Sequence, residues 1–462
     1  MMKASGLLRF LRIVSVAAVV AVLVAACAQA PQTPTAAPTK PPAAAPAQTP
    51  AAPATAAAPS TPKAAPATPA PATPAAAQPA AGGEIKMGLL LALTGDLGDM
   101  GSQLVAAADL AVKEMNAAGG PLGRKITLVS EDERTDAQTA VRAAQKLVFT
   151  DKVTSIVGPS SDSILALLDF AKSNKVPIIS QWAGTDKLIT AGGNYVYRVV
   201  ASDSFGGVAT AKFLADQGFK KAAVLYENDE SPESTAKSMS EEFKKLGGQI
   251  VASVAFNPGQ TSFQAELKKT FDPKPEVVLL STGAEAGAAV LKEWYRGGYG
   301  GKWFLGADLP TDEFVKQVGP SVMQGMYGQI PGDDTESPSY KRFAKIWKEK
   351  TGKDEVPSFA TNMYDAFILQ GLAIEAGKAA TGEAIAANIR QVSGGQGKTV
   401  TSFEEGIAEL RKGNKINYEG ASGPVDLDEH GNVAAGYSIV QVKGDKWGPV
   451  KFYSGQDLGK LK

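Results

Sequence analysis

The side chains that could do chemistry are few. The chain has one histidine, His430, and one cysteine, Cys27, too few for a disulfide framework, a histidine-based triad or most zinc sites. The run Gly95-Asp-Leu-Gly-Asp-Met-Gly101 has the glycine spacing of a phosphate loop but lacks the Lys-Ser/Thr that completes one. Two acidic runs, Glu131-Asp-Glu133 and Asp229-Glu230, could be imagined as the paired carboxylates of a glycosidase. Acidic runs in loops after strands are ordinarily solvated, and these are read that way. What remains are polar and glycine-rich loops, among them Thr94 to Ser102, Gly158-Pro-Ser-Ser-Asp-Ser163 and Gln181-Trp-Ala-Gly-Thr-Asp186. The expectation is therefore a protein that is not an enzyme, with no cofactor and no metal.

The elements that must position those loops start at Glu84. Residues 85–93 are a nearly unbroken apolar run of strand length, the pattern of a strand covered on both faces. After the loop 94–102, Leu104, Ala107, Ala108, Ala111, Val112 and Met115 fall three and four apart, one apolar face of a helix. Asn116 and Gly119-Gly120 can end it, and 124–129 reads as the next strand. This β-α-β opening predicts a doubly wound α/β sheet, whose ligands sit outside the carboxyl ends of its strands, so the loop 94–102 is the first candidate wall of a site. The alternation continues with a helix from an Asp136 N-cap to 149, a strand at 153–157, a helix to 173, and strands at 176–180 and 195–200. It restarts with strands at 221–227, 276–281 and 303–306 and helices at 234–246 and 284–296, which implies a second β/α lobe. Helices expected at 339–350, 358–376 and 383–392 have no strands of their own and should cover the first lobe. The end is β-rich, at 423–432 and 436–442.

Ahead of this folded region the composition differs. Lys3, Arg9 and Arg12 precede an apolar segment, 13–26, too short for an ordinary transmembrane helix but suited to a signal peptide. It closes on Leu23-Val-Ala-Ala-Cys27, which resembles a bacterial lipobox whose cysteine becomes lipidated. Residues 28–83 are almost only Ala, Pro, Thr and Gln, a tether that cannot bury a core. Residues 1–83 hold five basic and no acidic residues, so of 47 basic and 47 acidic residues in all, 42 and 47 belong to the remainder. A mildly acidic body of that kind argues against a nucleic-acid partner.

Read in order, IKMGLLLALTGDLGDMG, a helix ending N-x-x-GG, GPSSDS, VPIIS and YEGASGPVDLDEHGN together resemble the type I periplasmic binding proteins of the leucine/isoleucine/valine-binding family, over roughly residues 84–447. The resemblance implies two α/β lobes joined by a three-crossing hinge, closing on a solute that is handed to the permease of an ABC importer. Lobe one would be 84–203 plus 330–435 and lobe two 204–329 plus 436–462, behind a lipoprotein signal peptide at 1–27 and a disordered tether at 28–83. The expected partners are a small solute, an amino acid or a relative of one, and the permease, with membrane contact through the lipid anchor only. The protein is expected to be an extracytoplasmic monomer. A ligand-sensing receptor, or a binder of a neutral amide, urea or an aromatic solute, is the alternative.

In that family two lobe-one loops bind the α-carboxylate and a lobe-two acid binds the α-ammonium. Carried onto this chain, the loops are Ser160, Ser161, Asp162 and Ser163, then Trp182, Ala183, Gly184 and Thr185, and the acid is Asp308. The aromatic walls of the family fall on Met100, Ser231 and Gly283, and Trp182 is new, either a stacking platform or a packing residue. Asp162 and Gly184 stand where hydroxyl residues are usual. An ionised Asp162 about 4 Å from a carboxylate would repel it by about 4 kcal/mol at an effective dielectric near 20, more than the ~1.5 to 3 kcal/mol one charged hydrogen bond returns. So either Asp162 turns away from the ligand, or the ligand is not a simple α-amino acid.

Overall fold

A computed structural model describes residues 82–461. Cys27, the apolar segment before it and nearly all of 28–83 lie outside the described residues. Strands β1 (Ile85–Leu91), β2 (Ile126–Asp132), β3 (Ile156–Val157), β4 (Ile178–Ser180) and β5 (Val196–Arg198) form an all-parallel sheet in the order 2-1-3-4-5. Ile85, Met87, Leu89, Leu90 and Leu91 of β1 are buried, as a central strand with helices on both faces requires. Strands β6 (Lys221–Glu227), β7 (Gln249–Phe256), β8 (Val277–Ser281), β9 (Lys302–Leu305) and β10 (Tyr327–Gly332) build the parallel part of a second sheet. A small sheet, β11 (Lys398–Val400), β12 (Ile416–Gly420) and β13 (Gly423–Pro424), follows. Strands β14 (Gly436–Lys443) and β15 (Lys446–Tyr453) then return antiparallel to the edge of the second sheet, whose order is 15-14-10-9-8-6-7. The protein is an α/β molecule with two parallel-sheet lobes.

The helix Ala360–Gly377 is buried all round from Ala360 to Ile374 and lies in one core cluster with β1 and the helix Gly98–Ala117, so the late helices cover the first sheet. Ile330 stands inside β10, paired with Ser438, and the chain leaves the second sheet only beyond Gly332. The helix expected at 234–246 is Glu230–Lys245. Asp229 in an extended conformation starts it, and Pro232 is accommodated in a first turn whose N–H groups have no helical partner anyway. Among the described residues no helix is long and apolar enough to cross a membrane.

Candidate ligand-binding cleft

In each sheet the strand order reverses beside one strand: β1 lies between β2 and β3, and β6 between β7 and β8. Connections leave opposite ways at such a point and open a crevice at the carboxyl ends. The two crevices face each other in one cleft with an empty volume of about 550 Å³. One wall carries Asp96 and Leu97 after β1, Thr135 after β2, Ser160, Ser161 and Asp162 after β3, and Trp182 after β4. The other carries Glu227, Asp229, Ser231 and Pro232 at and after β6, Gly283 after β8 and Asp308 after β9.

Several expected residues are here, and several are not. Ser160, Ser161, Asp162, Trp182, Ser231, Gly283 and Asp308 line the cleft. Met100 instead borders an adjoining recess, with Leu97, Phe314 and Asp308. Ser163 is fully buried and turns inward, where its hydroxyl hydrogen-bonds to Glu133 and receives a bond from the Ser160 hydroxyl at 3.2 Å. Ala183, Gly184 and Thr185 do not reach the cleft. Their carbonyl oxygens, at 3.3, 2.8 and 3.0 Å, accept from Nη1 of the buried Arg198, which draws this loop back onto its own lobe. A methyl group on Gly184 would lie 1.9 Å from Oδ1 of Asp203, so a buried carboxyl fills the space that a threonine side chain would need. Trp182 unites both readings offered for it. It is 8% exposed, packs edge-on to Phe359 with ring centroids 6.5 Å apart, and still contributes to the cleft wall.

The acidic runs are solvated only in part: Glu131 and Glu230 pair with exposed lysines, whereas Asp132, Glu133 and Asp229 are engaged within the protein. Asp132 accepts from the backbone N–H of Leu93 (2.9 Å), Thr94 (3.3 Å) and Arg134 (2.9 Å) and from the Thr94 hydroxyl (2.6 Å), which shapes the loop after β1. Burial opposes those bonds, but together they hold its carboxyl below the usual range. Glu133 is fully buried and accepts from the Ser160 N–H at 2.9 Å; burial pushes its carboxyl up to about 7. Asp229 lines the cleft, and its carboxyl is held well above the ordinary value, first by desolvation and then by Asp162, to which it is hydrogen-bonded across the cleft. Asp162 therefore faces the cleft. Burial also raises Glu227, despite the 2.6 Å bond it accepts from the Thr282 hydroxyl, and Asp96 beside Glu285.

Asp96 and Leu97 fall within the loop 94–102 that the sequence marks as the first wall of a site, and Asp229 within an acidic run it reads as solvated, whereas Thr135, Glu227 and Pro232 it does not single out. The signal for all of them is their position at or just after the carboxyl ends of strands, the same rule that marks the loop 94–102. Beyond the Asp162–Asp229 bond, the walls touch through a Lys187–Glu230 ion pair and a bond from the Asp186 N–H to the Ser234 hydroxyl at 3.4 Å. A methyl group on Gly283 would stand 3.0 Å from the Asp96 Cβ, so glycine allows the two loops to approach. The lobes are closed on one another.

Known proteins share this arrangement. Residues 84–446 match the family described as periplasmic binding protein. The chain is 26% identical over 374 residues, 78% of its length and 88% of the relative's, to the chemotactic signal transduction system substrate-binding protein BasB of Halobacterium salinarum. A leucine-binding protein of Thermotoga maritima superposes with a TM-score of 0.70 at 24% identity, covering 81% of this chain and 99% of that one. The substrate-binding protein LivJ of a branched-chain amino acid transporter of Streptococcus pneumoniae, in complex with isoleucine, gives 0.69 at 25% identity over 80% and 99%. With the family match spanning most of the chain and a cleft walled by both lobes, this chain belongs to the periplasmic binding protein family, whose members bind solutes and are not enzymes.

Proposed function

We propose that this protein is the extracytoplasmic solute-binding component of an ABC importer, that it captures an amino acid or a related amine-bearing solute between its lobes, and that Cys27 anchors it by lipid. The single observation that carries the reading is the cleft formed where the crevices of both sheets face each other, since a ligand held there touches both lobes and favours their closure. Asp308, after β9, is the anchor for the ammonium group, and Ser160, Ser161 and Trp182 form the opposite wall. The relatives that bind branched-chain amino acids support the amino-acid reading. A thermal-shift panel of amino acids, amides, urea, amines and aromatic acids tests it. A true ligand at a thousand times its Kd stabilises a protein by about 4 kcal/mol, and a panel without any shift would remove the solute-capture reading. The second reading, a receptor that reports ligand occupancy to a membrane sensor, is favoured by the chemotactic relative. Permease genes beside this one would separate import from sensing.

A further inference from the structure

The cleft wall carries five carboxylate side chains, Asp96, Asp162, Glu227, Asp229 and Asp308, and no lysine or arginine. Asp96 and Asp162 stand on one lobe and the other three on its partner lobe, so a bound molecule meets acid from both sides. The nearby cations are engaged elsewhere, Lys187 with Glu230 and the Arg198 Nη1 with three carbonyl groups. Asp308 has no hydrogen-bond partner among the described residues, and Asp162 and Asp229 share a hydrogen bond across the cleft. Nor do the carboxylates gather at one point: among the described residues no group of three is placed to hold a metal ion. Between them lie Leu97, Trp182 and Pro232, an apolar surface for a hydrocarbon skeleton. The indole Nε1 of Trp182 is buried, with no hydrogen-bond partner among the described residues.

From this distribution we infer that the solute is an organic amine of net positive charge whose remaining polar groups are neutral, an amino amide, amino alcohol or diamine, and not a zwitterionic amino acid. The inference rests on the solute-capture reading and deepens it. A zwitterion brings a carboxylate into a wall of acidic groups with no basic side chain to receive it, whereas an ammonium group can pair with Asp308 or with the Asp162–Asp229 pair. An ammonium placed between Asp162 and Asp229 replaces the proton that the two carboxyl groups share and gives both of them a donor.

Matched pairs isolate the charge. Leucine and leucinamide share a skeleton and an ammonium and differ in the carboxylate, as do lysine and 1,5-diaminopentane. Calorimetry on the full chain at pH 7.5 should show leucinamide and the diamine each binding at least about tenfold more tightly than its carboxylate counterpart. Asp162→Asn should narrow that gap, because it removes a negative charge beside the carboxylate. Equal or tighter binding of leucine or lysine would overturn the inference and leave solute capture in place, as would tight binding of an aromatic acid with none of the amines. Silence from the amines, amino acids, amides, urea and aromatic acids alike would remove the solute-capture reading and this inference with it.

Discussion

At Asp308 a half-buried carboxyl faces the cleft, pushed up to about 6 by burial and then by the charge of Glu227. Breaking a buried charged pair by removing one partner costs about 3 to 5 kcal/mol, roughly two to four decades of affinity. Asp308→Asn should therefore weaken binding of an amine ligand by that amount at pH 7.5, as read by calorimetry, while the melting temperature of the free protein stays level or rises. Undiminished affinity would remove its role as anchor. Glu133 makes a different prediction. Its carboxyl sits near 7 when folded, against an ordinary 4.5, so between those values the folded protein holds a proton that the unfolded chain has released. The stability this confers is full below about 4.5 and is lost as pH rises through about 7, by at most ~3 kcal/mol. Glu133→Gln keeps an acceptor for the Ser160 N–H and cannot titrate. The fall in urea stability between pH 5 and pH 8 should shrink by ~2 to 3 kcal/mol in the variant, and an unchanged fall would show that Glu133 does not titrate in that window. Residue type alone could not separate Glu133 from its neighbour Glu131. One supports the Ser160 loop from within the core and the other pairs with Lys146 at the surface.

The helix Ala360–Gly377 shows what one element contributes to the fold away from the site. From inside it, Asp365 accepts from the Tyr418 hydroxyl (2.7 Å), the N–H groups of Ala421 (2.9 Å) and Ser422 (2.8 Å) and the Ser422 hydroxyl (2.6 Å), tying the turn between β12 and β13 to the core. Asparagine offers a single acceptor oxygen and turns an NH₂ group towards donors. Asp365→Asn should thus cost ~2 to 4 kcal/mol in urea denaturation and leave ligand affinity within about threefold, a difference of well under 1 kcal/mol; a loss of affinity without a loss of stability would count against this structural role. The helix itself was legible because its apolar residues leave no polar face. Strand β10 was not. Tyr327-Gly-Gln-Ile-Pro-Gly332 has two glycines and a proline, poor strand formers, yet β9 and β14 pair with it on either side and tertiary pairing overrides local preference. The helix Phe403–Arg411 was also missed. The cleft loops were legible as loops, because glycine and hydroxyl residues after apolar runs announce a turn. Which of their side chains reach the cleft was not.

For the molecule as a whole, closure is the property to test. The Lys187–Glu230 pair has side chains 62% and 21% exposed, and such surface pairs contribute about 0 to 1 kcal/mol. A clasp that weak leaves the ligand to decide the balance between open and closed states. Small-angle scattering on protein lacking residues 1–83 should show a smaller radius of gyration at ligand saturation, and superimposable profiles would count against hinge closure. The anchor has its own check: Cys27→Ser should abolish lipid modification and release the protein from the membrane fraction, and mass spectrometry showing unmodified Cys27 in the wild type would refute it. By itself the sequence determined that strands and helices alternate, that two β/α lobes result, and that their loops lie at the carboxyl ends of strands. Apolar periodicity and turn chemistry are local and can be read within some ten to fifteen residues. Only the tertiary structure decided that Asp162 meets Asp229, that Arg198 and Asp203 hold Ala183 to Thr185 away from the cleft, and that acid dominates both walls. Those outcomes depend on burial and charge between segments far apart in the chain, and a carboxylate's environment is set by what folds over it rather than by its neighbours in sequence.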